Sequence, residues 1–109
     1  MPNSAEVVLC TCPDMDSARR IADALLDQRL AACVNILPGV TSRYRWQGTV
    51  EESSETLLLI KTTRARYPTL ERTLVSLHPY ELPEIIGVPV EQGLAGYLAW
   101  IETCTKTTS

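Results

Sequence analysis

At 109 residues the chain has the length of one domain, expected to span 1–109 with its core over about 6–104, and a domain this small has a modest interior. Ten basic residues against 13 acidic ones leave a net charge of −3 with no basic run, which argues against both nucleic acid and an anionic membrane as partners. The 45% hydrophobic fraction is ordinary, and no apolar run approaches the ~20 residues needed to span a bilayer.

The opening "MPNSAEVV" lacks a basic segment followed by an apolar one, so it does not read as a secretory signal, and the cytoplasm is the expected compartment. Residues 6–12, "EVVLCTC", form a β-branched apolar run stopped by Pro13 and predict a buried strand. Asp14 is placed to cap a helix in which Ala18, Ile21, Ala22, Leu25, Leu26 and Leu30 share one face. Residues 32–46 predict a second strand interrupted at Pro38-Gly39, which suits an edge strand or a bulge. "QGT" turns the chain into a hairpin whose third strand runs over 55–62. Tyr67, Leu70, Leu74 and Leu77 mark a second helix that accommodates Pro68 in its first turn and ends before Pro79. Residues 84–90 predict the fourth strand, Leu94 to Ile101 a short C-terminal helix, and "TKTTS" a frayed tail.

This order is the split βαβ, ferredoxin-like α+β pattern, with a short C-terminal helix added. In such a sandwich both crossover helices cover one face of the sheet, yet "VVLC", "LLLI" and "IIGVPV" are apolar on both faces. Either the short third helix covers the second face, or another copy of the same sheet does so in a closed oligomer. Tyr44 and Trp46 share one strand face near the hairpin tip and read as interface residues.

The segments "TCPD", "RLAACVNI", "TSRYRWQG", "LLIKT", "HPYELPEI" and "YLAWI", from 11 to 101, resemble the CutA divalent-cation-tolerance family. The resemblance implies a ferredoxin-like subunit in a tight homotrimer whose long hairpins reach onto neighbours. It also implies an architecture similar to the trimeric nitrogen-status signalling proteins. Some members bind copper through a first-strand cysteine and a histidine at the end of the second helix, which here correspond to Cys10 and His78. A further histidine carried by some members is replaced by Leu77, which weakens a site built from one subunit.

The residues bear on that metal reading by themselves. Thiolate and imidazole favour copper or zinc over calcium or magnesium, and Cys10-x-Cys12 places two thiols on one strand face, a grip suited to Cu(I). Free cysteines in an apolar strand are also ordinary small core residues, the reading favoured for Cys10 and Cys12 and more strongly for Cys33; Cys104 suggests no role. All four are expected as free thiols in a reducing compartment. His78, the chain's one histidine, has a second explanation as a helix terminus complementing the last carbonyls. Its loop also holds Tyr80, Glu81 and Glu84, and His78 is expected to reach the strand thiols only by way of an adjacent subunit. No GxSxG, HExxH or Gly-rich phosphate loop orders these groups into a catalytic mechanism, so a non-enzymatic metal-binding protein is expected. The alternative is a signalling or interaction trimer holding a small ligand between subunits.

Overall fold

A computed structural model describes residues 4–107; the first three residues of the opening segment and the last two of the "TKTTS" tail lie outside this range. The elements follow the order β1 (Ala5–Cys12), α1 (Met15–Asp27), β2 (Cys33–Trp46), β3 (Thr49–Thr63), α2 (Tyr67–Leu77), β4 (Ile86–Pro89) and α3 (Ala95–Cys104). The sheet order is β2-β3-β1-β4 with every neighbouring pair antiparallel, the ferredoxin-like arrangement that the sequence pattern implies.

Local chemistry explains the element boundaries. Asp14 caps α1 by accepting the Ser17 backbone N–H at 2.8 Å, which holds its carboxyl below the usual carboxylate range. The helix buries Ala18, Ile21, Ala22 and Leu25, but Leu26 lies at the margin of the stripe and is exposed. Leu30 falls beyond the helix, past Arg29 at φ 56, and still enters the core. On β2 the register shifts between Leu37 and Val40, where Gly39 takes φ 80; this is the bulge expected at Pro38-Gly39, on an edge strand that tolerates the missing N–H.

Two strands differ in length from the sequence reading. β3 begins at Thr49 rather than 55, because the tight turn through Gln47 and Gly48, both at positive φ, zips the polar stretch 49–54 onto β2. β4 is confined to Ile86–Pro89, because it pairs only with β1 and ends on a residue with no N–H to donate. The tail is ordered at its start: Thr105 is buried and its hydroxyl donates to the Ile101 carbonyl at 2.9 Å.

Alternation along the strands divides the sheet into two surfaces. Val8, Cys10, Cys12, Leu58 and Ile60 face α1 and α2, where they pack with Ile21, Leu25, Leu70 and Leu74 into one core cluster. Truncating one such leucine to alanine typically costs about 2–5 kcal/mol. The other surface carries Val7, Leu9, Leu57 and Leu59, all only partly covered, as the apolar character of both faces anticipates. α3 packs against β1 and β3 at one end of it, where Ile101 is buried and the Ser4 hydroxyl donates to Glu102 at 2.7 Å. Ile86 and Val88 remain 51% and 45% exposed despite the helix. Cys33 also belongs to this surface: it is half-buried beside the Lys61 amine, 4.0 Å from its sulfur, and so is not the core thiol expected.

Candidate metal centre

β1 supplies two sulfurs at its C-terminal end. Cys10 and Cys12 are two residues apart on the helix-facing side, and both are fully buried. α2 ends above them. Pro79 forces His78 out of the helical region to φ −75, ψ 136, so its imidazole turns away from α2 and reaches the strand. The two Sγ atoms and an imidazole nitrogen lie within 4.8 Å of one another, all three residues buried.

This convergence occurs within one chain and corrects the expectation that an adjacent subunit is needed. The pairing of Leu9 with Ile86 places β4 directly beside β1, so the connection from α2 passes the end of β1 where the thiols stand. Leu77 packs against the core, and the third potential ligand beside Cys10 and His78 is Cys12. The structure thus brings Cys12, which the Cys10-x-Cys12 spacing places on the same strand face, together with Cys10 and His78.

His78 is held by two hydrogen bonds. Its Nδ1 accepts the Tyr80 backbone N–H at 3.1 Å, which leaves Nε2 as the protonated nitrogen donating to the Thr11 carbonyl at 2.8 Å. The bonded carbonyl belongs to β1 and not to α2, so the helix-terminus explanation does not describe this imidazole. A metal ligated by either nitrogen replaces one of these bonds and keeps the other as the orienting contact that ligating histidines usually have.

The thiols are coupled. The interaction between the two sulfurs raises Cys10, with burial pushing the same way, and lowers Cys12 toward thiolate, while the Cys10 thiol also lies 4.0 Å from the Thr11 carbonyl to which it donates. The charges of Glu84 and Glu55 further disfavour a thiolate at Cys10. Those carboxylates do not join the sulfur cluster. They line an adjoining cleft with Glu81 and Tyr80, whose ring lies 4.9 Å from the His78 ring and whose hydroxyl donates to Glu55 at 2.8 Å.

Two sulfurs and one nitrogen suit a soft ion. At ordinary metal–sulfur and metal–nitrogen distances of about 2.3 and 2.0 Å, ligand atoms around a trigonal ion stand roughly 4 Å apart, so the cluster needs only a small contraction. The same set leaves zinc one position short of a closed tetrahedral structural site.

A family model for the CutA1 divalent ion tolerance protein matches residues 6–104. A Thermus thermophilus divalent-cation tolerance protein CutA is 53% identical over 100 residues, covering 92% of this chain and 97% of its own length. The Homo sapiens protein CutA is 45% identical over 109 residues, all of this chain but 61% of the human protein. Among solved structures, the Thermus thermophilus divalent cation tolerance protein superposes with a TM-score of 0.92 at 52% identity, over 94% of this chain and 99% of that one. An Archaeoglobus fulgidus structure, described as a periplasmic divalent cation tolerance protein, gives 0.91 at 33% identity over 94% and 99%. Among the described residues, no helix is long and apolar enough to cross a membrane.

Proposed function

The chain belongs to the CutA1 divalent ion tolerance protein family, and from that premise we propose that it binds metal without catalysing a reaction, holding Cu(I) at Cys10, Cys12 and His78. The single observation that carries this reading is the gathering of two buried thiols and one imidazole in one chain. Thiolate is a soft ligand and the cluster contains no carboxylate, so reduced copper is preferred over hard divalent ions, with zinc as its nearest competitor. Free thiols at such a site fit the reducing cytoplasm.

The assembly belongs to the same proposal. A homotrimer covers the second sheet surface, whose apolar residues α3 leaves open, and brings the hairpin aromatics Tyr44 and Trp46 near neighbouring subunits.

The experiment is an anaerobic Cu(I) titration against a competing chelator across pH. Binding must displace the proton held at Cys10, so affinity is expected to rise with pH and to fall in acid, by about tenfold per pH unit for each proton displaced. An affinity independent of pH between 5 and 8 would exclude thiolate and imidazole as the ligands.

The cleft beside Tyr80 supports a second reading, a signalling or interaction trimer that holds a small ligand. Native mass spectrometry separates the two readings: copper retained at one per chain supports the first, and a retained metabolite the second.

A further inference from the structure

The β2–β3 hairpin and the 79–85 loop enclose a cleft of about 880 Å³, the size of small-molecule sites. Three aromatic residues, Tyr44, Trp46 and Tyr80, contribute to its walls. The charged groups there are unequal. Glu51, Glu55, Glu81 and Glu84 line it against Arg43 alone, and Arg43 is already paired with Glu52 at 3.4 Å.

Glu55 is the informative residue, because it is only 9% exposed and yet carries a carboxylate. The Tyr80 hydroxyl donates to its Oε2, and burial together with Glu55 raises that phenol, keeping Tyr80 a neutral donor. Among the described residues no hydrogen bond reaches Oε1, which is therefore accessible to solvent, and Glu55 lines the cleft. No described arginine or lysine pairs with Glu55. A carboxylate so far withdrawn from water with only a neutral partner is destabilising, and a cation entering the cleft relieves it. Aromatic faces select among cations: they attract an ammonium or guanidinium, whereas a small divalent ion holds its water and prefers oxygen.

We propose that this cleft binds a small organic cation, an alkylammonium or guanidinium compound, docked on Glu55 Oε1 and flanked by Trp46, Tyr44 and Tyr80. This gives the second reading its ligand class and does not depend on the metal centre, from which Glu55 is separated by Tyr80.

The test is calorimetric titration of the assembled protein with butane-1,4-diamine, with butane-1,4-diol and calcium chloride as parallel probes. The diamine is expected to bind saturably and more weakly as salt is added, and the diol not at all. Glu55→Gln and Trp46→Ala are each expected to weaken diamine binding by about tenfold or more. Glu55→Gln is expected still to take up one Cu(I) per chain, no more weakly than the parent because a charge that disfavours the Cys10 thiolate is removed, which shows that the variant is folded and separates this result from the fate of the metal reading. If one variant does not fold, the other still decides. The proposal is overturned if the diamine gives no binding, if both variants bind it like the parent, or if calcium occupies the site with no dependence on Trp46. It is equally overturned if Glu55→Gln dissociates the assembly, since Glu55 would then answer a cation of a neighbouring copy.

Discussion

Replacing Cys10 or Cys12 by serine, or His78 by alanine, is expected to weaken Cu(I) binding by about a hundredfold or more, while Cys104→Ser leaves it unchanged. Loss even of a group that only orients a ligand typically lowers metal affinity by about 10–100-fold, and removal of one of three ligands is more severe. The three variants should differ in a second respect. Cys12→Ser removes the sulfur shifted toward thiolate, so the remaining thiol, Cys10, must shed its proton in a buried setting near Glu55 and Glu84. With one thiol left to deprotonate, its binding should depend less steeply on pH than that of His78→Ala, which keeps both. His78→Ala also frees the Tyr80 N–H and the Thr11 carbonyl, so its thermal stability should be compared with that of the parent. Competition titration under anaerobic conditions measures all four affinities. Equal isotherms throughout would make Cys10 and Cys12 core residues and His78 a brace between β1 and the 79–85 loop.

The second large effect concerns assembly. Ile86→Asp or Val88→Asp is expected to convert the proposed trimer to monomers at micromolar concentration and to lower its melting temperature. Both side chains stand on the second sheet surface, about half exposed in the isolated chain, beside the partly covered Val7 and Leu9 with which they pair. Other large apolar groups are open as well: Leu37, Tyr97 and Trp100 are 39%, 42% and 43% exposed. Covering such a surface with further copies removes it from water, and a carboxylate placed there must then be desolvated without a partner, at several kcal/mol per subunit. Sedimentation equilibrium reads the mass directly. Melting of the parent should rise with protein concentration and that of the variants should not. A parent that sediments as a stable monomer would remove this inference together with the variants.

Most of the fold is legible in the sequence because its signals are local. Asp14 before an apolar stripe, Pro38-Gly39 within a strand, and Pro79 after Leu77 each act within a few residues, and each marks a feature at that place. What is less legible depends on pairing. The polar stretch 49–54 has no apolar alternation to mark it as strand and becomes one by adding to β2. Cys33 sits in an apolar context like Cys10, but which surface of the sheet it faces follows from its register with Lys61.

The candidate metal centre divides in the same way. The ligand types and the one-face placement of Cys10 and Cys12 follow from strand alternation. The distance from His78 to those thiols spans 66 to 68 positions of sequence and is fixed by the β1–β4 pairing and by the turn that Pro79 imposes, neither of which is a local signal. Reading the site as intersubunit followed from underestimating how far that turn carries the imidazole toward β1.

X-ray absorption of the protein loaded with one Cu(I) per chain tests the metal centre most directly, because it reports the atoms around the ion. Two sulfurs at about 2.3 Å and one nitrogen at about 2.0 Å are predicted, with the sulfur contribution halved in Cys12→Ser. A shell of nitrogen and oxygen alone, or a sulfur shell unaltered by that substitution, would contradict a centre built from Cys10, Cys12 and His78.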